Sequence, residues 1–173
     1  MEIRDSNGLT LYQSTVSSNK TTISDMEFYG ANLYQSRLHG IYLYNCLFRG
    51  GDIDEAHLED AQLEHVVFEG CMMCDVNFRN TTFINVEFYD VILFRTDFSF
   101  SKWTTSRFYG VDLKETQFFR STLVEVSFLE DHIAHKTDIC SANFAMASFK
   151  EVLFNNVIHN DHTVLPNGWS LSK

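Results

Sequence analysis

A large apolar residue recurs at every fifth position along most of this chain. From Phe28 to Ile133, all 22 positions of this series are Leu, Phe, Ile, Met or Trp. A spacing of five fits neither a single helix, around which it would scatter apolar side chains, nor a single flat strand, on which it would send them to alternate faces. The chain is therefore predicted to turn a corner once in every repeat.

Each large residue is preceded, two places earlier, by a smaller one. Ala, Ser, Cys, Gly, Thr or Val occupies 19 of these 22 positions, as at Ala56 and Ser106. Residues two places apart lie on the same side of an extended segment, so we expect both side chains to point inward. Asp or Asn often stands between them, as in Ala31-Asn32-Leu33 and Thr96-Asp97-Phe98.

This pattern resembles the pentapeptide-repeat family, whose loose consensus is Ala-(Asp/Asn)-Leu-X-X. The resemblance covers about residues 23–157 and implies the fold of that family, an all-β, right-handed, four-sided parallel β-helix in which four pentapeptides make one coil. We expect about seven coils. Because a stack of repeats needs covered ends, residues 1–22, with Leu9, Leu11 and Val16, are predicted to form an N-terminal cap, and residues 158–173 a C-terminal cap or tail.

A second, slower period of twenty supports four repeats per coil. It sorts the large residues into columns, meaning sets that occupy the same position in successive coils. One column is entirely Phe, at Phe28, Phe48, Phe68, Phe88, Phe108 and Phe128. The next is entirely non-aromatic, at Leu33, Ile53, Met73, Leu93, Leu113 and Ile133. Glycine follows the same count at residues 30, 50, 70 and 110, so one edge is predicted to use a turn that favours positive φ.

The five-residue pattern changes phase once. After Ile133 it continues at Ile139, Phe144, Phe149 and Phe154. We therefore expect one extra residue within 134–138, forming a bulge or a slightly longer corner. One interpretation is an insertion tolerated at an exposed corner, and the other is a protruding contact loop.

Few residues remain for chemistry once the repeat is accounted for. Cys46 and Cys71 fall on inward positions and Cys74 and Cys140 on outward ones, so Cys71 and Cys74 are not expected to share a metal ion. The stretch from His159 to His162 is interpreted as a solvated turn. No Gly-rich phosphate loop and no Gly-x-Ser-x-Gly motif is present. We predict a protein that is not an enzyme, with no catalytic residue, cofactor or metal site.

The chain also lacks the marks of a membrane protein. It has no apolar run near 18 residues and no positively charged leader with an apolar core. We expect a cytoplasmic protein with no membrane partner.

Charge is the main clue to partners. The formal net charge of −10 disfavours direct nucleic-acid binding, because phosphates would be repelled, and favours a basic protein partner. The densest acidic stretch has no Lys or Arg between Arg49 and Arg79. We call its eight carboxylates the acidic belt: Asp52, Asp54, Glu55, Glu59, Asp60, Glu64, Glu69 and Asp75.

Resemblance to the family suggests a use for this belt. Some pentapeptide-repeat proteins protect DNA gyrase and topoisomerase IV from quinolones and are acidic rods about as wide as a DNA duplex. The resemblance implies that this chain binds the basic groove of such an enzyme, in the manner of a DNA mimic. The belt, however, is expected to wrap one coil, whereas a duplex presents charge along its whole axis.

An apolar surface offers an alternative. Met72, Cys74, Ile92 and Phe94 fall at outward positions of adjacent coils, and we call them the apolar face. Contiguous exposed apolar groups are typical of an interface. On this hypothesis the chain is a scaffold, regulatory or effector protein that binds a partner, or a second copy of itself as a homodimer.

Overall fold

The protein is described by a computed structural model over residues 2–5, 8, 10–13 and 21–171. Every regular element of this part of the chain is a β-strand. The strands, in chain order, are β1 (Glu2–Asp5), β2 (Thr10–Gln13), β3 (Thr22–Ser24), β4 (Glu27–Tyr29), β5 (Ala31–Asn32), β6 (Tyr42–Tyr44), β7 (Leu47–Arg49), β8 (Gln62–Glu64), β9 (Val67–Glu69), β10 (Thr82–Ile84), β11 (Glu87–Tyr89), β12 (Lys102–Thr104), β13 (Arg107–Tyr109), β14 (Thr122–Val124), β15 (Ser127–Leu129), β16 (Ser148–Lys150) and β17 (Leu153–Phe154). The described residues contain no helix long and apolar enough to cross a membrane.

Two parallel sheets of seven strands form two sides of a solenoid. The first contains β3, β6, β8, β10, β12, β14 and β16, and the second contains β4, β7, β9, β11, β13, β15 and β17. Most partners are twenty residues apart, as with Phe28 opposite Phe48 and Phe83 opposite Trp103. The period of twenty in the sequence is thus the length of one coil.

Single bridges hold the other two sides together. One side carries the column Asn32, Asp52, Met72, Ile92, Asp112, Asp138 and Ile158, and the other carries Arg37, His57, Asn77, Asp97, Gln117, Asn143 and Val164. The predicted four-sided parallel β-helix is therefore confirmed. Each of the four sides has seven stacked members, as strands in the two sheets and as bridged residues on the other two sides.

One residue per repeat turns each corner with positive φ. The predicted glycine edge has it, with φ from 59° to 64° at Gly30, Gly50, Gly70 and Gly110. The other three edges have it too, as at Asp25 (56°), Gln35 (52°) and Asp60 (57°). Positive φ is thus a property of every corner from Asp25 to Glu125. Non-glycine residues accept it at most of these corners, and many of them are Asp or Asn, which tolerate this conformation best.

The core consists of stacked columns of side chains. Rings of the all-Phe column stack from Phe28 to Phe128 and on to Phe154, with centroids 4.7 to 5.2 Å apart. A second ladder runs through Phe78, Phe98, Phe118 and Phe144. The ladders meet edge to face, as at Phe108 and Phe118. Each such pair adds about 0.5 to 1.5 kcal/mol beyond area burial.

Two buried threonines at inward positions are satisfied by backbone carbonyls. Thr81 Oγ1 donates to Leu58 O at 2.7 Å, and Thr96 Oγ1 donates to Met73 O at 2.6 Å. Each bond joins one coil to the preceding one. Burying these hydroxyls therefore costs little, because a partner replaces the lost water.

Both ends of the stack carry further chain. Strand β1 pairs antiparallel with β2 and with β5, so Asn32 lies between Arg4 and Asp52. Leu9 and Val16 of the predicted N-terminal cap, and the side chain of Leu11, lie outside the described residues. At the other end Phe144 N donates to Val164 O at 2.7 Å, and Trp169 packs edge to face on Phe149 at 5.1 Å.

The predicted one-residue slip within 134–138 is wrong in size. Asp112 pairs with Asp138, twenty-six residues later, so this coil contains six extra residues. They are residues 131–136, and we call them the insertion. Ile133, predicted to continue the aliphatic column, is 59% exposed, and Ile139 takes its place in the core at 0%.

Candidate interaction surface

The acidic belt lies entirely on the outside of the solenoid. Asp52 and Asp54 occupy one bridged side, Glu59 the next, and Glu64 the first sheet. All eight carboxylates belong to outward or corner positions because the inward ones are taken by the core columns. The belt therefore wraps around the rod, as the projection from sequence predicted, and does not extend along it.

Two belt carboxylates are neutralised by arginines of neighbouring coils. Glu69 Oε2 lies 2.6 Å from Arg49 Nη2, and Asp75 Oδ2 lies 2.6 Å from Arg95 Nη2. The hydrogen bonds from Arg95 hold the pKa of Asp75 below its usual range. These two residues contribute little net charge to the surface.

The other six have no Lys or Arg partner among the described residues: Asp52, Asp54, Glu55, Glu59, Asp60 and Glu64. Three histidines lie beside them, with His57 Nδ1 at 3.1 Å from Glu59 Oε1 as the shortest contact. We call these six carboxylates the unpaired belt.

Neutral hydrogen bonds orient the unpaired belt. Glu55 accepts from Gln35 Nε2 at 2.8 Å, and Glu64 accepts from the Tyr42 hydroxyl at 2.9 Å. Asp54 accepts from the backbone N–H of Cys74 at 2.6 Å. The donors come mostly from adjacent coils, so the rigid backbone fixes the carboxylates in place. The hydrogen bond to Glu64 raises the pKa of Tyr42.

Several carboxylates of the later coils are paired with Lys or Arg. Glu87 pairs with Arg107 at 3.0 Å and Asp97 with Arg79 at 2.9 Å. Lys114 Nζ lies 2.9 Å from Asp112 and also contacts Asp138. The other later carboxylates, which have no Lys or Arg partner among the described residues, are spread along residues 90–161. Carboxylates without such a partner are therefore densest on residues 52–64, where the unpaired belt lies.

The residues of the apolar face lie at outward positions of adjacent coils. Met72 and Ile92 are 46% and 43% exposed and are bridged to each other across adjacent coils. Cys74 and Phe94 are half-buried, and Arg95 lies over the Phe94 ring at 4.7 Å. Asp52 is the neighbour of Met72 in the same column. The apolar face thus borders the unpaired belt directly.

The cysteines follow the predicted register. Cys46 and Cys71 are buried, and Cys74 and Cys140 are partly exposed. Cys71 Sγ donates to Phe48 O at 3.4 Å, on the inside of the wall, while Cys74 faces outward. Burial and the nearby Asp54 raise the pKa of Cys74 to about 11. The segment from His159 to His162 includes a turn, with Thr163 N donating to Asn160 O.

The structure also brings together three residues to which sequence reasoning assigned no role. Asp90, Asp131 and His135 converge at the insertion. One signal in the sequence pointed to this place, since Asp90 interrupts the column Gly30, Gly50, Gly70 and Gly110.

These observations define a class of protein, a four-sided parallel β-solenoid with a packed core and all its distinctive chemistry on the outer surface. The family model for the pentapeptide repeat region matches residues 42–118. That stretch belongs to the pentapeptide-repeat family, and the same coils continue on both sides of it. No curated protein matches the sequence.

Solved structures of similar fold include pentapeptide-repeat proteins. A trypsin-treated variant of QnrB1, a plasmid-mediated fluoroquinolone resistance protein, is 15% identical with a TM-score of 0.38, covering 79% of this chain and 84% of that one. Rfr23 from the cyanobacterium Cyanothece 51142 is 12% identical with a TM-score of 0.31, covering 69% and 63%. HetL from Nostoc sp. strain PCC 7120, involved in heterocyst differentiation regulation, is 12% identical with a TM-score of 0.18, covering 81% and 86%.

Proposed function

We propose that this chain is a non-catalytic protein-interaction module that binds a basic partner in the cytoplasm through the unpaired belt. One observation carries this proposal: six carboxylates without Lys or Arg partners lie within residues 52–64, less than one coil, while the later carboxylates that lack such partners are spread along residues 90–161. A fixed, concentrated negative surface attracts a basic surface at long range and loses little entropy on binding.

More specifically, we propose that the unpaired belt binds a basic groove of its partner, such as the DNA-binding groove of DNA gyrase or topoisomerase IV. The charge distribution favours local docking of one end of the rod, because a DNA mimic of full length would need unpaired charge along the whole axis. Contacts of this kind weaken as salt rises, since exposed charges further apart than about 8–10 Å are screened at physiological ionic strength.

Charge reversal within the belt tests this proposal. Glu55→Lys, Glu59→Lys and Glu64→Lys would be combined and compared with a control that reverses Glu115, Glu125 and Glu151 in the same way. The control changes net charge equally at three exposed corners outside the belt. The measurement is gyrase supercoiling, with and without ciprofloxacin, as each purified protein is titrated at low and moderate salt.

We expect the wild type and the control variant to inhibit or protect the enzyme, with an effect that fades as salt rises. The belt variant should need at least about tenfold more protein for the same effect, because several charge contacts become repulsive. Absence of any effect by the wild type would reject the topoisomerase as partner. Equal losses in both variants would show that net charge matters and the belt does not.

The apolar face supports a second candidate function, a scaffold, regulatory or effector protein that binds a partner or itself. The specific observation is the pair Met72 and Ile92, both exposed and adjacent. Sedimentation of Met72→Asp with Ile92→Asp against wild type tests self-association. If the wild type sediments as a dimer and the double variant as a monomer, this candidate is supported. If both proteins sediment as monomers, the homodimer is rejected.

A further inference from the structure

The insertion is a closed loop anchored to the wall of the solenoid. At its base Thr137 Oγ1 donates to Leu129 O at 2.7 Å and accepts from Val111 N at 3.2 Å. Within it Asp131 N donates to His135 O at 2.9 Å. Asp131 Oδ1 accepts the backbone N–H groups of Ile133 and His135 at 2.9 and 2.8 Å. The loop is therefore ordered by its own hydrogen bonds.

The second oxygen of Asp131 has no such partner. The side chain is 1% exposed, and Oδ2 is buried without a hydrogen bond. It faces the imidazole of His135, with Nδ1 at 3.5 Å. A carboxylate oxygen that is removed from water and left unpaired is costly, so the site as it stands calls for a positive group.

Asp90 completes a set of three. Its Oδ1 lies 3.6 Å from His135 Nδ1, and one ligand atom from each of the three residues lies within 4.8 Å of the others. The two carboxylates thus crowd one another at a place where a cation would relieve their repulsion.

The two distances from His135 to the carboxylates are close to those between ligands around a shared ion. Distances of 3.5 and 3.6 Å from His135 Nδ1 are longer than ordinary hydrogen bonds. Two ligand atoms that each lie about 2.1 Å from a tetrahedral cation are about 3.4 Å apart. Imidazole together with carboxylates is a ligand set for Zn²⁺ or Mn²⁺ rather than for Mg²⁺ or Ca²⁺, which prefer oxygen alone.

We propose that Asp90, Asp131 and His135 form a binding site for a divalent transition-metal cation of the Zn²⁺ or Mn²⁺ type. Three protein ligands leave at least one coordination position for water, which the exposed His135 and Asp90 allow. The ion would join the insertion to the coil that holds Asp90, across the intervening coil.

Gly110 is the residue of that intervening coil over which the loop passes. A Cβ atom there would lie 3.1 Å from Asp90 Oδ1 and 3.2 Å from Cβ of both Asp131 and His135. Glycine therefore lets the two carboxylates approach one another. The proposed site explains both why Asp90 replaces glycine in the glycine column and why glycine returns at Gly110.

Metal titration of the purified full-length protein tests the proposal. Zn²⁺ binding would be measured by competition with a chromophoric chelator, Mn²⁺ binding by its electron paramagnetic resonance signal, and Mg²⁺ would serve as the hard-cation control. The site variants are Asp131→Asn and His135→Gln. His132→Gln is the matched control, since it removes a histidine from the same loop that is not in the cluster.

We expect one equivalent of Zn²⁺ or Mn²⁺ per chain in the wild type and in His132→Gln, and at least about tenfold weaker binding in each site variant. Zn²⁺ should also raise the melting temperature of the wild type and of His132→Gln, but not of the site variants, because an ion that binds the folded state stabilises it. Asp131→Asn retains the Oδ1 acceptor of the loop, so circular dichroism should show both site variants folded. Equal binding by wild type and site variants, or a loss in His132→Gln as large as in His135→Gln, would overturn the proposal.

Discussion

At the scale of the residue, each corner of this solenoid needs one residue of positive φ. Replacing glycine by alanine at such a corner costs about 1–2 kcal/mol. At Gly70 nothing else lies within 4 Å of the added Cβ, whereas at Gly110 three atoms lie within 3.2 Å. The two glycines share nearly the same φ, 59° and 62°, and differ only in what surrounds them.

We predict that Gly110→Ala lowers the free energy of unfolding by about 1 kcal/mol more than Gly70→Ala, because the added methyl displaces the insertion. Urea denaturation of both variants measures the difference. Gly110→Ala should also weaken Zn²⁺ binding, while Gly70→Ala should not. Equal destabilisation of the two variants would show that the loop does not rest on Gly110.

The outward thiols offer a second prediction at this scale. Burial raises the pKa of both Cys74 and Cys140 to about 11, against about 8.5 for an ordinary cysteine. At pH 8 we expect both to react with iodoacetamide at least about tenfold more slowly in the folded protein than in urea, since only the thiolate attacks. Mass spectrometry after timed labelling reports each site. The folded rates should rise as pH approaches 11, and native labelling as fast as in urea would contradict the shifts.

At the scale of the element, the insertion shows what a five-residue pattern can and cannot reveal. The pattern detects a change of phase but cannot count whole repeats, because adding five residues leaves the phase unchanged. Six extra residues therefore looked like one. Ile133 stood at the expected position and was assigned to the core, although Ile139 is the residue that packs below Leu113.

Removing the insertion is a prediction about this element. Deletion of residues 131–136 joins Glu130 to Thr137 and restores a coil of twenty residues, with Thr137 still beneath Val111. We expect a folded protein whose free energy of unfolding lies within about 1 kcal/mol of the wild type, because exposed loops add little to packing. This deletion variant should no longer bind the one equivalent of Zn²⁺ that is expected for the wild type. Denaturation and metal titration measure the two effects.

A deletion of equal length inside a regular coil is the matched control. Removing residues 111–116 would place Gln117 at the inward position of Val111 and break the columns. That variant should fail to fold. If the variant that lacks residues 131–136 also fails to fold, the insertion is part of the structural framework.

At the scale of the whole molecule, structural features that recur in every coil could be predicted from the sequence, whereas features that occur only once could not. The Phe column and the outward placement of Met72 and Ile92 follow from counting, because each residue inherits its environment from its position in the coil. The neutralisation of Glu69 and Asp75 could not be predicted as firmly, since it depends on how the Arg49 and Arg95 side chains extend across coils. The convergence of Asp90 and Asp131 depends on a loop that has no period.

The same one-dimensional order predicts how the molecule opens. Apart from the contact of the insertion with Asp90, each coil contacts only its two neighbours, and the end coils have one neighbour and fewer stacked rings. The middle coils hold the closest stack, Phe83 on Trp103 with centroids 3.7 Å apart, and both rings are almost completely buried. Hydrogen–deuterium exchange, followed by peptide mass spectrometry, should therefore be slowest for amides of residues 82–121 and faster toward both ends. Zn²⁺ should slow exchange in residues 122–147, where the insertion lies, and leave residues 42–61 unchanged. Uniform exchange along the rod would mean that the coils open together, and that coupling between neighbours outweighs the differences between them.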